Sequence, residues 1–265
     1  MIRLPLCFFI FVPTVLAAQV FDNVLEIVTP VGINAMEPAL VGIENGGMVM
    51  SWTEPDGEGF AVKTATLQDG NWSTPVTATT SKNLFVNWAD FPTIAAFSDG
   101  TLAVSWLQQS AQISYSYDIN IVLSSDSGQT WGSPIQPHDD QSMQQHGFLT
   151  LLPTAQDKML AVWLDAREYN SQDFGGSFNN AVQLRSTIIG KDGTLGSDTP
   201  LDLRACSCCQ TSASITGDGT VLIAYRDRTA DEIRDISIVR RYNGVWSDPV
   251  NIHADGWEIS GCPVN

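Results

Sequence analysis

Basic residues are scarce in this chain. Thirteen lysines and arginines stand against 29 aspartates and glutamates, leaving a formal net charge of −16 at pH 7 over 265 residues. Such a surface repels phosphate backbones and anionic headgroups, so nucleic acid is excluded as a partner. Charge of either sign is thin at 16% of residues, while 43% are hydrophobic, which excludes a disordered chain and leaves enough for a sizeable core. Beyond the first eighteen residues no apolar run is long enough to span a bilayer. Helical periodicity is also lacking, which excludes parallel α/β folds. There is no D-x-D-x-D-G calcium loop, the C-x-C-C spacing is poor for a tetrahedral site, and no histidine stands at ligand spacing from it. No metal and no cofactor are therefore expected.

What is present begins with a targeting segment. Met1–Ala18 has a basic start at Arg3, an apolar run from Leu4 to Leu16, then the small residues Ala17 and Ala18. That is the layout of a secretory signal peptide. The expectation is a mature chain beginning near residue 19, secreted or periplasmic, monomeric, and off the membrane once the signal is cut. Four cysteines then remain: Cys206, Cys208, Cys209 and Cys262. In an oxidising compartment an even set suggests disulfides, with three pairings open.

The chain repeats itself. "EPALVGIENGGMVMSWTE", "DFPTIAAFSDGTLAVSWLQ", "HGFLTLLPTAQDKMLAVWLDAR" and "CQTSASITGDGTVLIAYRDR" share one layout of strand, turn and alternating strand ending on an aromatic residue. Those aromatics are Trp52, Trp106, Trp163 and Tyr225, at spacings of 54, 57 and 62 residues. A third and a fourth strand follow, the fourth opened in three repeats by Trp72, Trp131 or Trp246. Four short antiparallel strands per unit at this period predict an all-β β-propeller. The predicted domain covers residues 19–265, with blades at about 31–80, 84–138, 143–203 and 207–253. "WEISGCPVN" aligns with "WADFPTI" at Trp88–Ile94, so a fifth blade is expected to begin near Trp257, in a ring of six blades when complete.

Antiparallel order places the long, charged loops of every blade on one face, around the channel mouth. The candidates there are Arg167, Arg204, Arg226, Arg228, His146 and Trp257 for substrate binding, and Asp165 or Asp227 as acid/base. The four cysteines converge on the same mouth, where Cys208 or Cys209 is expected to bridge to Cys262. On the opposite face Ser124, Asp126, Gly128, Thr130 and Trp131 spell S-x-D-x-G-x-T-W. Its aspartate suits the turn's backbone N–H groups and its glycine a positive φ, an architectural role.

That box is the Asp-box of sialidase-like propellers. Together with "QHGFLTLLP", "AVWLDAR", "ACSCCQTS" and "GWEISGCPVN" the chain resembles exported bacterial sialidase-like proteins, over roughly Ser124 to Asn265. The resemblance implies a glycan-processing exo-glycosidase acting on an acidic sugar, with a carbohydrate or glycoconjugate as partner. A guanidinium matches a sugar carboxylate through two parallel N–H bonds. The Arg-Ile-Pro string that supplies the first arginine of sialidases is missing, and Glu37 before Pro38 stands in its place. The alternative is a non-catalytic propeller that binds a carbohydrate or a protein.

Overall fold

A computed structural model describes residues 26–112, 115–155, 157–169 and 181–259. The signal segment, the insertion after Tyr169, and Cys262 lie outside the described residues. Among the described residues there is no α-helix. The chain forms antiparallel sheets in strict sequence order.

The first sheet holds β1 (Met36–Gly42), β2 (Met48–Asp56), β3 (Gly59–Gln68) and β4 (Asn71–Trp72), with β5 (Val76–Ser81) also pairing with β3. The second holds β6 (Ile94–Ala96), β7 (Leu102–Gln109) and β8 (Tyr117–Ser124), extended by a single bridge from Ile121 to Ile135. The third holds β9 (His146–Ala155), β10 (Lys158–Asp165), β11 (Val182–Gly190) and β12 (Thr199–Ala205). The fourth holds β13 (Ser212–Ile215), β14 (Val221–Arg226), β15 (Ile236–Tyr242) and β16 (Val245–Trp246), with β17 (Val250–Asn251) also on β15. Asp69-Gly70 and Asn243-Gly244 join third strands to fourth strands, and both residues of each pair have positive φ, the geometry of a type I′ hairpin turn.

Consecutive sheets pack face to face. Trp106 lies in one cluster with Val49 and Val62 of the first sheet; Trp163 lies in another with Tyr117, Ile119 and Ile121 of the second. Tyr225 packs on Leu160, Val162 and Leu164 of the third. The recurring aromatic of the second, third and fourth sheets therefore faces the sheet before it, while Trp52 of the first packs with Met50, Ala65, Val31 and Ala35. Burial follows from this stacking. β10 is covered on both sides, and every residue from Met159 to Asp165 is buried. In β14 burial alternates, with Val221, Ile223 and Tyr225 inside. The first strands β1, β6, β9 and β13 lie side by side, so their starts gather at one end of the stack.

The Asp-box turn sits at the other end, after β8. Asp126 Oδ1 accepts from Ser124 Oγ at 2.7 Å and from Thr130 N at 2.9 Å, and Ser124 Oγ in turn accepts from Gly128 N at 2.8 Å. Gly128 has φ +84, and Trp131 packs against the core between the first two sheets. Hydrogen bonds from Thr130 and Ser124 hold the Asp126 carboxyl down at about 2. The turn is thus closed by its own side chains.

One comparison tests the packing. Trp163 Nε1 donates to the buried Asp165 at 2.8 Å, whereas Trp106 Nε1 is buried without a hydrogen-bond partner. Trp163→Phe removes a bond to a buried charge and Trp106→Phe removes an unmet donor. Trp163→Phe is expected to cost about 1–3 kcal/mol more than Trp106→Phe in urea unfolding. Equal costs would show that the indole bond to Asp165 contributes nothing.

Candidate functional site

The loops at the gathered strand starts carry nearly all the chemistry. Between the second and third sheets lies a dense polar cluster. Asp165, at the end of β10, has no exposed surface. It accepts from Trp163 Nε1 and from the Arg167 backbone N, Nε and NH2, at 2.8–3.0 Å. Arg167 also donates to Asp139 at 3.0 Å and Asp198 at 2.6 Å, and Asp198 is shared with Arg185. With Asp140 at 3.3 Å the guanidinium is spent on four carboxylates, and its pKa is driven up as Asp165 and Asp198 outweigh burial. Asp165 acts as the anchor of Arg167, shut off from solvent.

His146, at the start of β9, is fully buried. Its Nδ1 meets Asp118 at 3.1 Å and its Nε2 meets Asp140 at 2.9 Å. His138 stacks on it, with ring centroids 3.8 Å apart and planes 6° from parallel. Two ligand groups are offered here, Asp118 with both histidines and Asp140 with His146 and Asp165. His146 bridges the two carboxylates, whereas both ring nitrogens of His138 are buried without a hydrogen-bond partner, at 3.8 Å from Asp118 and 3.5 Å from Asp140. Burial opposes charge on His146, but Asp118 and Asp140 outweigh it and lift the pKa to about 9.

The fourth sheet brings the remaining arginines together. Arg226 lies 4.6 Å over the Trp257 ring and donates to the Arg234 carbonyl at 2.6 Å. Arg228 donates to Glu232 at 2.6 Å. Arg234 is buried, pairs with Glu232 at 2.8 Å, and reaches Cys206 Sγ at 3.3 Å. Asp235 accepts from Gly256 N at 3.0 Å and Trp257 N at 2.9 Å, fixing the loop that carries Trp257. Asp227 accepts from Ser237 Oγ at 2.8 Å and from Arg228 N. With Asp202, Arg204 and Arg228 it lines an open groove of about 600 Å³. Cys206, Cys208 and Cys209 form no bridge among themselves.

The structure also draws attention to residues that the repeat pattern left aside. Glu37 opens β1 at a register shift, with φ +57, a left-handed conformation rare for a glutamate. Phe148 occupies the matching position in β9 with φ +55. Glu37 lines a cleft of about 530 Å³ with Met36, Pro38, Val86, Trp88 and Phe91. Trp88 is 71% exposed and Phe91 39%, unusual for such rings. Below them Asp90, 2% exposed, accepts from Phe148 N at 2.7 Å and Tyr117 OH at 3.0 Å. Burial lifts the Glu37 carboxyl to about 7; burial, with a smaller contribution from the Glu37 charge, lifts Asp90 to about 7. The signal was legible in part: Trp88 aligns with Trp257, and both prove to be exposed loop tryptophans.

No protein-family model matches the chain, and no curated protein matches it. Among solved structures it is similar to a protein of unknown function from Dyadobacter fermentans, at 14% identity over 82% of this chain and 68% of that one, with a TM-score of 0.60. It is similar to the Penicillium chrysogenum α-L-arabinanase complexed with arabinobiose, at 14% identity over 80% of this chain and 62% of that one, TM-score 0.51. An ulvan lyase bound to a GlcA(1-4)Rha3S repeat matches at 12% identity over 83% of this chain and 58% of that one, TM-score 0.51. The chain thus spans about three fifths of the length of the arabinanase and the lyase. These likenesses establish the fold, an all-β array of antiparallel sheets as in β-propeller proteins, and nothing of the chemistry.

The buried histidine makes stability depend on pH. The folded pKa of His146 is raised from 6.5 to about 9, so the folded state binds the extra proton in that interval. Its contribution, roughly 3 kcal/mol, is whole below pH 6.5 and is lost as pH climbs through 9. Urea midpoints at stepped pH are expected to fall over this window, and in His146→Gln the fall should flatten. An unchanged slope in the variant would show that His146 does not carry it.

Proposed function

We propose that the protein is an exported glycan-processing enzyme, an exo-acting glycosidase whose bond cleavage is centred on Glu37. The observation that carries this reading is the cleft itself: a half-buried carboxyl, held in left-handed backbone, lines it together with two exposed aromatic rings at the gathered strand starts. Cleaving a glycosidic bond requires a proton for the departing oxygen. A carboxyl poised near pH 7 holds that proton where an ordinary glutamate has lost it. Trp88 and Phe91 offer flat apolar faces on which a sugar ring can lie. Asp90 lies below, where its Tyr117 and Phe148 partners fix it as a positioning group. Solved proteins of like fold that bind arabinobiose and a glucuronate-containing repeat support a carbohydrate as the ligand.

The sialidase-like expectation of an acidic sugar is kept within this proposal. The protonated Glu37 would not repel a sugar carboxylate, although it stands where the sialidase pattern has an arginine. A sugar carboxylate would meet its guanidinium in Arg226 of the fourth sheet, which stacks on Trp257. Arg167 takes no part, since its N–H groups are spent on Asp165, Asp139 and Asp198.

The test is turnover by the full-length protein on fluorogenic sialosides, uronides and arabinosides. Release is expected to fall as pH rises above about 7, the value to which the Glu37 carboxyl is lifted. Glu37→Gln should lower kcat by about 10²- to 10⁴-fold with little change in KM. Saturable binding of a glycan without turnover by wild type would instead make the cleft a binding site.

A further inference from the structure

Three thiols meet behind the arginine cluster. β12 ends at Ala205, which bridges to Asp227, and the chain turns at once towards β13. In that turn Cys206 Sγ stands 3.7 Å from Cys208 Sγ and 4.0 Å from Cys209 Sγ, and all three sulfurs lie within 4.8 Å of one another. A disulfide brings sulfurs to about 2.05 Å, so no pair is bonded. A tetrahedral zinc site with Zn–S bonds of about 2.3 Å separates its sulfurs by about 3.8 Å. The triangle is that of thiolate ligands around a common centre.

We propose that Cys206, Cys208 and Cys209 hold a thiophilic closed-shell metal ion, Zn²⁺ or Cu⁺. Soft thiolates select these ions over the hard cations that carboxylates prefer. Charge balance supports the assignment. Three thiolates around a divalent ion leave one negative charge, around a monovalent ion two. Arg234 supplies the compensation, buried and aimed at Cys206 Sγ from 3.3 Å. Its Nε is buried with no hydrogen-bond partner, and its NH2 pairs with Glu232 at 2.8 Å. N–H donors to a ligand sulfur are the usual outer support of such sites.

C-x-C-C within one short loop strains a tetrahedron, but Cys206 is held apart from the other two by strand geometry: its N–H donates to the Arg226 carbonyl at 3.0 Å. The β12 end supplies one ligand and the turn supplies two. The ion would tie the β12–β13 turn to the β14–β15 loop, and through the 2.8 Å bond from Arg234 N to the Trp257 carbonyl to the loop carrying Trp257.

The full-length chain, purified without oxygen, is assayed for metal by mass spectrometry, then stripped and titrated separately with Zn²⁺, Cu⁺ and, as a probe, Co²⁺. About one equivalent of Zn²⁺ or Cu⁺ per chain is expected, with a sulfur-to-cobalt charge-transfer band in the Co²⁺ form. Competition with chelators tells the two native ions apart. Because Cys206→Ser at a fully buried position risks unfolding, the deciding variants are Cys208→Ser and Cys209→Ser at half-buried positions. Each should lose the bound metal and the cobalt band, and Arg234→Gln should weaken binding about 10- to 100-fold. Metal retained by both serine variants, a disulfide joining any two of the three cysteines, or free thiols that bind none of the ions would overturn the proposal.

Discussion

The structure depends on one constraint: a sheet with an apolar face must bury it, and here each sheet buries it against the next one in the chain. The aromatic at the end of every second strand is the wedge. Trp106, Trp163 and Tyr225 each enter the gap in front of their own sheet, where the facing residues come from the sheet before. Burying a large apolar side chain contributes about 1.5–3 kcal/mol, and each gap collects many. The wedge also sets the phase of each strand. A slip of one residue would turn Trp163 away from its cluster and bring Leu164 round in its place.

That stacking creates a second problem at the strand starts, where charged loops are pressed together. The solution is mutual neutralisation. Asp165 takes the Trp163 indole and three donors of Arg167, and the same arginine reaches Asp139 and Asp198. Asp118 and Asp140 enclose His146. Buried charges persist only when paired in this way. The Glu37 cleft departs from the rule. Its carboxyl has a buried oxygen without a hydrogen-bond partner, and protonation stands in for a counter-charge. A group left in that condition beside exposed aromatic rings is a departure of the kind that functional sites make.

The all-β class and the antiparallel sheets were legible because their signals are periodic. Alternation in "VLIAYR" and the returning Trp or Tyr register with each turn of the chain, so four copies reinforce one another. The Asp-box was legible because its bonds are local, closing within seven residues from Ser124 to Thr130. The candidate site was legible only as a set of loops. Clustered arginines read as a mouth lined with positive charge; some of their partners are near in sequence, as Asp165 is to Arg167, but others are not. Arg167 meets Asp198, 31 residues on, and Arg204 meets the Arg228 carbonyl, 24 residues on. Nothing in the string "AMEPA" announces that Glu37 shares a cleft with Trp88 or lies near enough to Asp90 for their charges to interact.

What this sequence determined by itself is therefore what local and periodic forces decide: strands, hairpin turns, the repeat, an acidic surface that turns nucleic acid away. What only the tertiary structure decided is which charges remain unspent and which sulfurs meet. The charges depend on separations of a few ångströms between residues as far apart in the chain as Arg167 and Asp198, and the sulfurs on how the end of β12 and the turn after it are folded back. Coulomb and hydrogen-bond energies fall steeply over those distances. Until neighbouring sheets stack, an arginine that will bind and one that will be neutralised read the same.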